Sequence, residues 1–200
     1  MASVPTIDLS AACASLAADI CRRVPELGHI DPQRLLVCLS RSRADGSHGV
    51  YARIAPLRFA AGAIEHSRRR GRYLETFRLP SLDHEGREIL YLIYLMVPRF
   101  LRLGCEQKLA TVIHELFHIA EAFDGDLRRF PGRNFAHGSS RNGYNRIVAR
   151  LQEQYLAQSP DPQLLDCLNL DEEGWRLGHF RLTGLNVPLP RARLVARQRL

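Results

Sequence analysis

Residues 107–123 read QKLATVIHELFHIAEAF. Leu109, Val112, Ile113, Leu116, Ala120 and Phe123 recur at helical spacing and predict one buried stripe. Thr111, His114, His118 and Glu121 fall on the neighbouring stripe. The helix is expected to run to Phe123 and to end at Asp124-Gly125-Asp126, with Gly125 past its last turn. The pentad His114-Glu115-Leu116-Phe117-His118 therefore sits on an amphipathic helix beside apolar core. Residues four apart lie one above the other, so His114 and His118 can aim a ring nitrogen at one metal ion. Glu115, one position on, is placed to hold and deprotonate a water at an open zinc position.

A catalytic zinc site needs a third protein ligand as well as an open position. His137, just ahead of Gly138, is the favoured candidate. Asp124, six residues after His118, is the alternative; an extended pattern that ends there wants a glycine at 121, where this chain has Glu121. Glu121 reads better as a partner of a ligand histidine than as a ligand. Arg141 and Tyr144 are candidate donors to a developing oxyanion.

These residues carry a resemblance. HELFHIAEAFDGDLRRF, then FAHG and a helix, resembles the minimal zincins of the SprT-like type. It is also similar to the metallopeptidases found in phage genomes, which share the motif helix and an Asp-Gly turn. The resemblance covers residues 104–155. It implies one Zn2+ per chain on His114, His118 and His137, with Glu115 as catalytic base. This chain lacks the zinc ribbon of SprT-like proteins, and its gap from His118 to His137 is longer than theirs.

Outward from the motif, residues 8–24 predict a helix capped by Asp8. Residues 34–40 (RLLVCLS) predict a buried strand, and 41–49 a polar loop around Asp45-Gly46. Residues 50–59 predict another strand, with Pro56 at an edge or a bulge. Arg68-Arg69-Arg70 falls in a linker, and 73–79 is a strand of alternating type. Residues 88–97 (EILYLIYLMV) form the strongest strand candidate, although the same run could equally start a helix. After the motif, residues 142–156 predict a helix burying Tyr144, Ile147, Val148, Leu151 and Tyr155. The order suits an α+β domain, a small mixed or antiparallel sheet backing the motif helix. Residues 1–158 are read as that domain, with 104–156 as its motif core. Residues 159–200 are read as a C-terminal extension, with a hairpin of 175–183 against 187–195 and an arginine-rich tail.

Two hundred residues suffice for one domain with its own core. The longest apolar run, 89–97, is too short to span a bilayer, so no membrane association is expected. Five scattered cysteines, none in C-x-x-C, predict reduced thiols and a cytoplasmic protein. The net charge of +7 comes almost wholly from arginine, since Lys108 is the only lysine. Arginine enrichment of this kind also follows from a GC-rich genome. The clusters at Arg68–Arg70 with Arg72, and at Arg191, Arg193, Arg197 and Arg199, read most plainly as solvated turn and tail. Their other reading is contact with DNA or a DNA-bound protein.

The expected function is zinc-dependent hydrolysis of peptide bonds in a protein or peptide substrate. Two rivals stand beside it. One is a zinc-binding module without proteolysis, which would need no base and would favour a fourth protein ligand. The other is a nucleic-acid-associated protein that works through its arginines.

Overall fold

The computed structural model describes residues 3–41, 49–130 and 141–200. The loop expected around Asp45-Gly46 and the candidate ligand His137 lie outside the described residues. The chain runs β1 (Thr6–Asp8), α1 (Leu9–Arg23), β2 (Leu35–Arg41), β3 (Ala52–Pro56), β4 (Glu65–Arg70), β5 (Tyr73–Arg78), β6 (Leu82–His84), β7 (Arg87–Ile89) and β8 (Tyr91–Val97). It continues through α2 (Cys105–Phe117), α3 (Arg141–Ala157), α4 (Pro162–Leu165), α5 (Glu172–Arg176), β9 (Arg181–Thr183) and β10 (Arg193–Arg199). The architecture is α+β, as the pattern of elements implies.

A mixed sheet in the order β2-β8-β3 forms the centre, with β2 parallel and β3 antiparallel to β8. Strand β8 is apolar throughout because it is covered on both faces. Tyr91, Ile93 and Leu95 point into the main core with α1, α2 and α3. Leu92 and Tyr94 point the other way, into a second cluster with Leu36, Cys38, Leu57 and Ile89. Leu185 and Val187 of the C-terminal region pack on that second cluster. Asp8 caps α1 by accepting the Ala11 N–H at 2.9 Å, as expected.

Strand β3 lies at the sheet edge, which is what Pro56 demands. Ile54 turns its main-chain N–H away from β8 and toward Glu115. Pro56, two residues on, points its nitrogen the same way, so its missing N–H interrupts no ladder bond.

Three expectations need correction. Helix α2 stops at Phe117, six residues before Phe123. Beyond it Ile119 bridges Leu127, the Ala120 N–H reaches Asp126 O, and the Arg128 N–H reaches His118 O. The apolar period continued past 117 because Ile119 is buried by this returning loop, not by another helical turn. Gly125 is not a helix cap: its φ of +90° serves the loop, and a Cβ there would meet Arg58 at 2.5 Å.

The arginines at 68–70 are strand β4, not linker. The C-terminal hairpin does not form either. Trp175 and Arg176 lie in α5, β9 pairs in parallel with β1, and β10 pairs antiparallel with β5. The C-terminal region is fastened to the motif helix by the chain's one lysine. Lys108 is buried on the back of α2 and donates to Leu168 O at 2.9 Å and Leu170 O at 2.7 Å. Cys167 and Leu168 join the main core beside it.

Candidate metal centre

Helix α2 starts at Gly104, whose N–H donates to the Gln107 side chain at 3.2 Å. Leu109, Val112, Ile113 and Leu116 are buried against the sheet and α1, which fixes the rotation of the helix about its axis. That rotation turns His114, Glu115 and His118 toward β3 and α3. His114 and His118 face each other with their Nε2 atoms 3.1 Å apart. Two nitrogens bound to one tetrahedral zinc at ~2.0–2.1 Å would stand about 3.3 Å apart. The observed separation is close to that value, so the two nitrogens stand at a distance that one metal ion could bridge.

Tyr144 of α3 holds both rings. It stacks on His118 with centroids 5.2 Å apart and meets His114 edge-on at 4.7 Å. Its hydroxyl donates to the His114 main-chain oxygen at 3.2 Å. Burial pushes the Tyr144 phenol well above its ordinary pKa, and the nearby Glu115 carboxylate adds to that. Tyr144 is thus a neutral donor already engaged with the helix backbone. Tyr144, a candidate oxyanion donor from the sequence, is in contact with both histidine rings.

Glu115 is 6% exposed, on the side of α2 that faces the edge of β3. Burial pushes its carboxyl up to about 7, and the hydrogen bond from the Ile54 N–H pulls the other way. A dication on the adjacent histidines would favour the carboxylate further.

His114 and Glu115 line one end of a groove of about 480 Å³. Tyr51 and Ala52 of the β3 edge form one wall, and Asn145, Val148 and Gln152 of α3 form the other. Gln107 and Thr111 continue the floor along α2. These groove residues were not singled out from the sequence. Only an edge strand beside the motif helix would have signalled them, and Pro56 was that signal.

Asp124 is not brought to the histidine pair. Its carboxylate accepts the Asp126 N–H at 3.0 Å in its own turn, and the turn packs against Gly62. Glu121 lies past the end of α2 and pairs with Arg128 at 2.6 Å. Arg128 in turn lies over the Phe117 ring at 4.3 Å. Among the described residues no group of three or more His, Cys, Asp or Glu gathers around a metal position. The returning loop is anchored by Asp126, which accepts from Ala61 N at 3.0 Å, from Leu127 N at 2.8 Å and from Arg129. Tyr91 ties the same loop to the sheet by donating to Asp126 O at 2.8 Å and accepting from Gly125 N at 2.9 Å.

Among the described residues no helix is long and apolar enough to cross a membrane. A family model described as "Putative phage metallopeptidase" matches residues 9–155, from the first residue of α1 to Tyr155 of α3. No curated protein and no solved structure gives a significant match to the chain.

Proposed function

Because this chain belongs to the family described as "Putative phage metallopeptidase", we propose that it is a zinc-dependent endopeptidase of the H-E-x-x-H type. The observation that carries this reading is the convergence of His114 and His118 Nε2 at 3.1 Å, with Glu115 beside them on the wall of an open groove. His114 and His118 hold the metal, and His137 completes the protein ligands. When bound, zinc supplies a Lewis acid that acidifies water and polarises a carbonyl.

Glu115 acts as general base. It takes the proton of the attacking water and delivers it to the leaving amine. Burial on the helix and the Ile54 N–H hold its carboxyl in one orientation. The substrate lies extended along β3. Ile54 points its main-chain groups away from β8, and Ala52, two residues before it, points the same way. Ala52 also lines the groove, so its backbone is offered to an added strand. All five cysteines are free, which suits a reducing, cytoplasmic setting.

Two variants test binding and chemistry separately. His114→Ala should lose the metal, read as zinc per chain by elemental analysis of the purified protein. Glu115→Gln should keep it, yet cleave unfolded casein at least ~10²–10⁴-fold more slowly than wild type. Equal zinc in wild type and His114→Ala would remove the site. Casein cleavage by Glu115→Gln at the wild-type rate would remove the mechanism.

A further inference from the structure

The two arginine clusters lie more than a hundred residues apart in sequence and meet on one small sheet in the order β10-β5-β4. Cross-strand pairing decides which residues share a face, since direct partners point the same way. Tyr73 of β5 is flanked by Arg70 and Arg199, and Glu75 by Arg68 and Arg197. One face thus carries Arg68, Arg70, Arg197 and Arg199, with Tyr73, Glu75 and Phe77 along its midline. From these observations we propose that this face is a docking surface for the phosphate backbone of a nucleic acid.

The guanidiniums are displayed, and two of the four, Arg68 and Arg197, share one carboxylate. Strands β4 and β10 are exposed at every position. Arg197 lies over the Tyr73 ring at 4.0 Å and Arg68 over Phe77 at 4.6 Å. Stacking of this kind fixes the plane of a guanidinium while leaving its in-plane N–H donors directed outward. Glu75 is the single carboxylate on the face, buried beneath Arg197 at 3.6 Å and Arg68 at 4.0 Å. It gathers two arginines without closing a bidentate pair with either. Among the described residues no carboxylate pairs with Arg70 or Arg199.

The result is two rails of positive charge, one on each outer strand, about 10 Å apart across two strand spacings. Such a surface matches a polyanion whose charges repeat along a line, which is the electrostatics of a nucleic-acid strand. Strand β10 lies beyond residue 155, outside the span matched by the family model. The surface is independent of the peptidase reading, because it uses none of His114, Glu115 or His118.

The test is fluorescence anisotropy with a labelled mixed-sequence DNA oligonucleotide, single-stranded and as a duplex, between about 50 and 200 mM salt. The full chain and the Arg70→Gln/Arg199→Gln variant are compared. Arg87→Gln/Arg181→Gln removes the same charge from exposed positions elsewhere. We expect the sheet variant to bind about tenfold or more weakly, with the slope of log K against log salt smaller by about 1 per arginine. Arg70→Lys/Arg199→Lys should restore that slope, which separates charge from fold. Wild type that does not bind either DNA overturns the proposal. So does equal loss in the sheet variant and the control, or competition by polyglutamate or phosphatidylserine vesicles as strong as by unlabelled DNA.

Discussion

Among the described residues two three-stranded sheets share pairing geometry and little else. In the central sheet, β8 is buried on both faces and its two neighbours are buried on at least one. In the outer sheet, β4 and β10 are exposed at every residue, and the one buried residue of β5 is Glu75. Backbone hydrogen bonding forms both sheets; burial of apolar side chains distinguishes them. The difference assigns them different tasks. The central sheet is stiff, and its β3 edge and the helix packed on it set the position of Glu115. The outer sheet contributes little core, so its side chains are free to carry charge.

The largest expected effect tests the stiff half. Leu92→Ala removes a fully buried side chain between Leu36, Leu57 and Tyr94. Its loss should cost ~2–5 kcal/mol, from lost transfer energy plus the cavity left behind. Urea unfolding of wild type and variant reads it directly. A cost below about 1 kcal/mol would mean that the second cluster is loosely packed and that the contrast between the sheets is false.

The same contrast explains what could be read from the sequence. The burial of β8 was legible from its run of apolar residues, and its β-branched and aromatic content favoured a strand over a helix start. The α1 cap, the rotation of α2 and the buried face of α3 were legible from local spacing. His114, Glu115 and His118 were legible because four residues is one helical turn, whatever surrounds it. The end of α2 was not, because Ile119 keeps the helical period while being buried by Leu127 and its loop, a contact no local pattern records. The outer strands were hidden for a related reason. A strand exposed on both faces shows no alternation, so β4 looked like a linker and β10 like a tail. Pairing of β9 with β1, across the whole length of the chain, leaves no local trace at all.

A second, smaller effect concerns electrostatics within the stiff half. Asp19 on α1 is buried and accepts hydrogen bonds from Arg22, from Arg23 at 2.8 Å and from Tyr155 of α3 at 3.0 Å. Burial alone would raise its carboxyl; the bonds from Arg22, Tyr155 and Arg23 outweigh it and hold the group below its ordinary range. A carboxyl lowered in the folded state stabilises above its unfolded pKa, and that contribution fades as pH falls through the folded value. Asp19→Asn should therefore destabilise by ~1.5–3 kcal/mol at pH 7, the range for bonds to a charged group. The gap between variant and wild type should narrow below about pH 4. Urea midpoints at pH 7, 5 and 3 measure it. A gap that stays constant across this range would mean the contacts act by shape and not by charge.

The smallest effect tests the outer sheet with the same chemical change as the largest. Leu194→Ala shortens a side chain that is 50% exposed on β10, opposite Phe77 of β5. Full burial of a leucine stabilises by ~1.5–3 kcal/mol, and here about half the surface is already in water. No core closes over the site, so no cavity term is added. The register shift between Leu194 and Ala196 also loosens the pairing at this point. What remains is one cross-strand contact with an aromatic ring, worth ~0.2–1 kcal/mol. Leu194→Ala should thus cost less than about 1 kcal/mol in the same urea experiment that reads Leu92→Ala. If the two costs came out equal, the outer sheet would have to be packed against something that buries Leu194, and the arginine face would be part of an interface rather than free to meet a polyanion.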